Sequence, residues 1–229
     1  MKGSGAMAMK MQIIIAIACL GLLMWIHPAS AQQIRTYSLT VGRHDAVSLS
    51  TDQVDKILTE ASLVLKKCNV ALERKGSVGT FSSPNAEGNI TNPTERDAVH
   101  RENFDIKVVQ LVRFCRVDQP GQVGCAWDPP PPPAKQIPQH RSVIVGVLAD
   151  TELLGPVSVL TDTKLTGMVW AHEFGHRTGL PHRSAKNALM ACKVERAQIN
   201  QEECDCFRRG PGPCLDDPPE PAERCGIGH

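Results

Sequence analysis

One short segment constrains this chain more than any other: residues 169–183, with the sequence VWAHEFGHRTGLPHR. It contains His172, Glu173, His176, Gly179 and His182 in the pattern H-E-x-x-H-x-x-G-x-x-H. At this chain's composition, random placement gives the five-residue pattern in about 4 of 100,000 chains, whereas H-E-x-x-H alone would be far less specific. The spacing therefore requires a physical explanation.

Helix geometry supplies that explanation. Residues four apart lie on one face of a helix, one turn above the other, so His172 and His176 can bind the same ion. Glu173 is rotated by about 100° from His172, so it can lie beside the ion without ligating it. Gly179 can take the left-handed conformation that ends a helix, and the chain then leads to His182. Three neutral imidazoles and one open position are typical of catalytic zinc sites, so we predict Zn²⁺ as the cofactor and Glu173 as the general base.

The segment resembles the active site of the metzincin superfamily of zinc endopeptidases. In that superfamily a helix carries the first two histidines and the glutamate, a glycine turn precedes the third histidine, and a Met-turn lies beneath the metal. Met190, eight residues after His182, is the candidate for that methionine. The specific match covers residues 164–191. The resemblance implies an α+β fold, with a twisted mixed sheet, an N-terminal backing helix, the active-site helix and a C-terminal helix. It also implies that residues 191–196 form a wall of the substrate site.

The sequence departs from the family pattern at two points. Arg183 follows the third histidine, where the named families tend to show Glu, Asp, Ser or Pro, so no subfamily is assigned. Tyr37 is the only tyrosine, so the Met-turn tyrosine of astacin-like and serralysin-like enzymes is absent. Oxyanion stabilisation is then expected from zinc and backbone donors.

The N-terminal 31 residues have the pattern of a secretory signal peptide. Lys2 and Lys10 precede an uncharged run, residues 13–25, which is shorter than the roughly 20 residues that span a bilayer. The sequence Ala29-Ser30-Ala31 matches a signal-peptidase site, so we predict cleavage after residue 31 and a secreted or periplasmic protein. A membrane anchor and a lipoprotein at Cys19 are the alternatives.

Residues 32–229 carry eight of the nine cysteines and a formal net charge of −1, because the predicted signal peptide removes one cysteine and two lysines. An even number of cysteines in an exported chain suggests up to four disulfides. Cys115 and Cys125 flank a Pro-Gly turn and can pair, and Cys192 is within reach of Cys204 or Cys206. We predict a catalytic domain over residues 32–208 and an irregular tail over 209–229, pinned by two cysteines.

Periodicity and turn signals predict the main elements. Helices are expected over 50–67, 164–177 and 200–208, and strands over 104–115, 142–148 and 156–160. The five prolines at 129–133 are expected to form an exposed loop. His44, His100, His140 and His229 have no partner at ligand spacing and are predicted to lie at the surface.

Together these patterns predict an exported zinc metalloendopeptidase that cleaves peptide bonds in an extended protein or peptide substrate through a zinc-activated water. Two alternatives stay open: a catalytically silent zinc-bearing scaffold that binds proteins, and a structural protein that needs zinc to fold. The near-zero net charge gives no basic field for nucleic acid or anionic membrane, so neither is an expected partner once the signal peptide is removed. Latency, if the enzyme has any, is expected to come from another protein, such as an external inhibitor, or from metal supply.

Overall fold

The computed structural model describes residues 33–115, 120–122, 124–126, 142–148, 162–183, 187–191, 196–210 and 214. The described residues from Ile34 onward belong to one unit. The predicted signal peptide, the strand over 156–160, the five prolines at 129–133 and nearly all of the tail lie outside these ranges. No helix among the described residues has the length and apolar character needed to cross a bilayer.

The described elements alternate between strands and helices. In chain order they are β1 (Arg35–Leu39), β2 (Val41–His44), α1 (Thr51–Leu65), a 3₁₀ turn (Lys66–Cys68), β3 (Val70–Arg74), β4 (Gly79–Phe81), β5 (Asn89–Ile90), α2 (Pro93–Arg101), β6 (Ile106–Phe114), β7 (Pro120–Gln122), β8 (Gly124–Ala126), β9 (Val143–Leu148), α3 (Thr163–Arg177) and α4 (Gln201–Arg209).

The main sheet is mixed and centres on β6. Its path is β4-β2-β6-β9-β8, in which β8 alone runs antiparallel to its neighbour. The short strands β5 and β7 also pair with β6, parallel and antiparallel respectively, and β1 and β3 form a separate parallel pair. The mixed α+β fold confirms the predicted fold class at this coarse level, whereas the parallel pairing of most strands was not predicted.

Local signals explain the two helices that cover one face of this sheet. Ser50 caps α1 in a reciprocal capping box with Gln53, and Val54, Ile57, Leu58, Ala61 and Leu65 form its buried stripe. Helix α1 packs against α3 at Gly167, where a Cβ would collide with Glu60 and the backbone of Ala61. The predicted N-terminal helix therefore lies behind the helix that carries the histidine motif.

Apolar side chains fill both faces of the sheet. Ile106 and Val108 of β6 join the larger cluster with α1, α3 and α4, whereas Val109 joins a smaller cluster with Val99 of α2. This follows the alternation of side chains along a strand. Lys107 is an exception: it is 1 % exposed and donates hydrogen bonds to the His100 carbonyl and the Ser142 hydroxyl.

The disulfides correct one sequence-based expectation. Cys204 pairs with Cys68 and Cys206 pairs with Cys214, so neither is the partner of Cys192. Cys115 is also disulfide-bonded. The side chain of Cys125 and the whole of Cys192 and Cys225 lie outside the described residues.

The prediction that His44 is a surface residue is wrong, and His100 is only partly exposed. His44 is completely buried, and its Nδ1 accepts a hydrogen bond from the amide of Ala46. His100 lies 3.3 Å from the Ser142 hydroxyl through its Nδ1, and burial lowers its pKa to about 3. Absence of ligand spacing therefore did not indicate exposure. His140 and His229 fall outside the described residues.

Candidate metal centre

Helix α3 presents two of the three motif histidines. Asp162 caps it by accepting hydrogen bonds from the amides of Lys164 and Leu165, each at 3.0 Å. After Arg177 the chain turns at Gly179, whose φ of 88° lies in the left-handed region. This turn carries His182 back towards the helix.

The three histidine side chains meet at a single point. The His176 Nε2 lies 3.0 Å from the Nε2 atoms of both His172 and His182, and the latter two are 3.2 Å apart. Zinc–nitrogen bonds of about 2.0–2.1 Å in a tetrahedral site separate the ligand nitrogens by about 3.3 Å. The triangle of nitrogens thus fits one metal ion of this size.

Backbone carbonyls fix the proton positions on two of these rings. The Nδ1 of His172 donates to the Leu189 carbonyl at 2.7 Å, and the Nδ1 of His176 donates to the Leu180 carbonyl at 2.8 Å. A carbonyl oxygen can only accept, so each neutral ring has a bare lone pair at Nε2. Burial lowers the pKa of His172 to about 4, which keeps this ring neutral at pH 7. Two lone pairs facing each other at 3.0 Å repel, and a shared cation removes that repulsion.

Glu173, the residue that follows His172, lies in a closed environment. The residue is 5 % exposed, and burial raises its pKa to about 8. Its Oε2 is buried and has no hydrogen-bond partner among the described residues. Its Oε1 packs against Gly124 of β8 so closely that a Cβ there would overlap the carboxylate. A buried carboxylate oxygen without a partner among the described residues, on the residue that follows His172, is consistent with a site built for a ligand.

Met190 packs against the underside of α3. The residue is fully buried, and its sulfur lies against Gly175, where a Cβ would leave it no room. The same loop supplies the Leu189 carbonyl to His172, and its Met190 carbonyl accepts from the amide of Arg183 at 2.7 Å. The loop over 187–191 therefore touches the helix and the chain beside His182.

Several contacts of the site were not predicted from the sequence. Gly124 lies about 50 residues before the motif on a three-residue strand, and the Arg177–Asp105 ion pair links the end of α3 to the start of β6. That pair is buried, and the Asp105 carboxylate also accepts from the amide and hydroxyl of Thr40. The pairing of Arg177 with Asp105 spans 72 residues, so no local sequence signal identifies it.

Comparison with known proteins gives limited similarity. No protein-family model matches the chain, and no curated protein sequence matches it. Among solved structures, the chain is similar to metalloproteinase-II from Bacteroides fragilis at 13 % identity, over 74 % of this chain and 52 % of that one, with a TM-score of 0.38. The chain thus spans about half the length of that protein. A similarity this low assigns the chain to no family.

Proposed function

We propose that this protein is an exported zinc-dependent endopeptidase that cleaves peptide bonds in extended peptide or protein substrates. The observation that carries the proposal is the triangle of Nε2 atoms from His172, His176 and His182, two of which have their tautomers fixed by backbone carbonyls. Hydrogen bonds from the second ring nitrogen to a carbonyl are typical of metal-ligating histidines. Three nitrogen ligands and no fourth protein ligand among the described residues favour a catalytic zinc over a structural one.

The chemistry divides between the ion and Glu173. A bound zinc ion would supply Lewis-acid polarisation of the peptide carbonyl and a water acidified to a pKa of about 7. In this proposal the charge of the bound ion would lower the raised pKa of Glu173, so that its carboxylate could accept a proton at Oε2 from the attacking water and deliver it to the leaving amine. Met190, in the proposed role of a Met-turn residue, supports the helix beneath the ligands through its contact with Gly175.

An extended substrate is favoured by the strand beside Glu173. Strand β8 pairs antiparallel with β9, and in the described part of the chain its other edge pairs with no strand. A strand edge that pairs with no other strand can add a peptide as a further strand through main-chain hydrogen bonds, which are independent of side-chain identity. Because Gly124 of β8 contacts the Glu173 carboxylate, a peptide on this edge would lie close to the proposed base.

Export is supported by the cysteines. The described residues include two complete disulfides, Cys68–Cys204 and Cys206–Cys214, and these bonds persist in oxidising compartments. Residues 1–31 also have the sequence pattern of an export signal, which agrees with this proposal. We therefore place the protein in the periplasm or outside the cell.

A peptide library with defined metal content tests the proposal. The zinc-loaded protein should cleave internal peptide bonds, lose activity with a chelator and regain it when zinc is returned. Glu173→Gln should keep zinc and lose activity by about 10²–10⁴-fold, because only the proton acceptor is removed. Glu202→Gln, at an exposed position of α4, is the matched control and should remain fully active.

Full activity in Glu173→Gln would refute the mechanism. A zinc-loaded wild type that cleaves nothing would instead support the silent-scaffold alternative.

A further inference from the structure

Arg183, the residue that departs from the family pattern, makes a specific contact with helix α4. Its Nη1 donates to the Oε2 of Glu203 at 3.0 Å. The Arg183 side chain is 34 % exposed, whereas that of Glu203 is only 4 % exposed. The pair therefore differs from an ordinary surface salt bridge, because one of its charges is almost completely removed from water.

Glu203 is itself held in place by the start of α4. It is the third residue of the helix, and its Oε2 accepts from the amide of Asn200 at 2.7 Å while its own amide donates to the Asn200 side chain. The next residue, Cys204, is disulfide-bonded to Cys68. The carboxylate that Arg183 reaches is thus attached to a helix end fixed by a capping box and a covalent bond.

The backbone of Arg183 is held from another direction. Its amide donates to the Met190 carbonyl at 2.7 Å, and residue 183 forms an isolated bridge with Ala191. The side chain and the backbone therefore attach residue 183 to two different segments. His182 is the residue immediately before this double attachment.

We propose that Arg183 is a positioning residue for the third metal ligand, acting through its ion pair with Glu203. His172 and His176 need no such support, because the rigid frame of α3 sets their separation. His182 lies beyond the helix on a short irregular segment, so the position of its backbone depends on what holds the neighbouring residues. The Arg183–Glu203 pair supplies that hold and limits the positions that the His182 Nε2 can occupy. This inference rests on the proposed metal function.

A double-mutant cycle tests the ion pair without removing the helix cap. Glu203→Gln keeps a side-chain carbonyl for the Asn200 amide, as Gln53 does for the amide of Ser50 in α1. Arg183→Gln and Glu203→Gln should each raise the zinc dissociation constant about tenfold, the lower end of the effect of losing an outer contact at a metal site. The double variant should be no weaker than either single variant, because both remove the same interaction. Arg183→Lys should recover part of the affinity.

Two measurements on the full-length protein distinguish a positioning role of Arg183 from a purely structural one. Chelator competition gives the zinc dissociation constant, and the visible absorption of the Co²⁺-loaded protein reports the ligand geometry. Both should change in the Arg183 and Glu203 variants and stay unchanged in Glu202→Gln, which removes a neighbouring charge that Arg183 does not contact. A lower melting temperature with unchanged zinc affinity and cobalt spectrum would overturn the proposal and leave the pair a structural one.

The same experiment distinguishes this inference from the proposed function. One outcome is that the wild type binds one zinc and cleaves peptides while the Arg183 and Glu203 variants leave the zinc dissociation constant unchanged or change it independently. In that case Arg183 has no positioning role, and the peptidase proposal stands. If the wild type binds no zinc, both proposals fail.

Discussion

The two disulfides on α4 should stabilise the protein by very different amounts. Cys68–Cys204 closes a loop with a sequence separation of 136 residues, whereas Cys206–Cys214 closes one of 8. The loop-entropy relation gives about 5 kcal/mol for the long loop and about 2.5 kcal/mol for the short one at 25 °C. Removing the first bond should therefore cost about twice the unfolding free energy of removing the second.

Paired alanine variants measure this difference by urea denaturation. Cys68→Ala/Cys204→Ala should lose about 5 kcal/mol and show a larger dependence on urea concentration, because its unfolded chain is less compact. Cys206→Ala/Cys214→Ala is the matched control, since it removes the same atoms from the same helix. Circular dichroism and tryptophan fluorescence should give coincident transitions for each variant. Equal losses in the two variants, or a larger loss from the short loop, would refute the loop-entropy argument.

Three further changes test other parts of the structure. Asp105→Asn removes the charge that neutralises the buried Arg177 guanidinium, and urea unfolding should show a loss of about 3–5 kcal/mol; a loss below 1 kcal/mol would contradict this. Burial lowers the pKa of Lys107 from its ordinary value of 10.5 to about 8, so the unfolded state binds more protons between these two pH values. The free energy of unfolding should therefore rise by up to about 3 kcal/mol between these two pH values. Lys107→Met should abolish this rise, and an identical pH profile in the variant would show that Lys107 does not cause it. Gly124→Ala places a methyl group against the Glu173 carboxylate. Peptidase activity should therefore fall about tenfold or more while zinc stays bound. Unchanged activity would show that this contact is dispensable.

Three of the four described helices could be predicted because their signals are local, whereas α2 was missed although Asn92 caps it in the same way. Ser50, Asp162 and Asn200 cap α1, α3 and α4 through side chains that reach two or three residues along the chain. The apolar period of α1 also lies within one window of sequence. By contrast, strands of two to five residues such as β5 and β8 contain too few alternations to stand out, and their pairing depends on distant partners.

The site shows the same division between local and distant information. The spacing of the three histidines in the sequence predicts that their side chains converge, because a helix and a turn connect them. The Leu189 carbonyl, Gly124 and the partner of Arg183 reach the site through the tertiary fold, so no local pattern indicates them. Glu203 lies 20 residues after Arg183, so the histidine motif alone could not predict the ion pair between them.

The predicted pairing of Cys192 with Cys204 or Cys206 was wrong for a related reason. Residues two apart on a helix point about 200° away from each other, so Cys204 and Cys206 face different neighbours. Cys204 faces Cys68 beneath the helix, and Cys206 faces Cys214 in the following segment. Proximity in sequence to Cys192 carried no information about these directions.

The convergence of three imidazole nitrogens on one ion is tested most directly by the metal content of the purified, zinc-equilibrated protein, measured by elemental mass spectrometry against protein concentration. We expect one zinc per chain for the wild type and less than about 0.1 for His176→Ala, since His176 is closest to both other ligands. Near-zero zinc in the wild type, or equal zinc in His176→Ala, would contradict the assignment of this cluster as a metal centre.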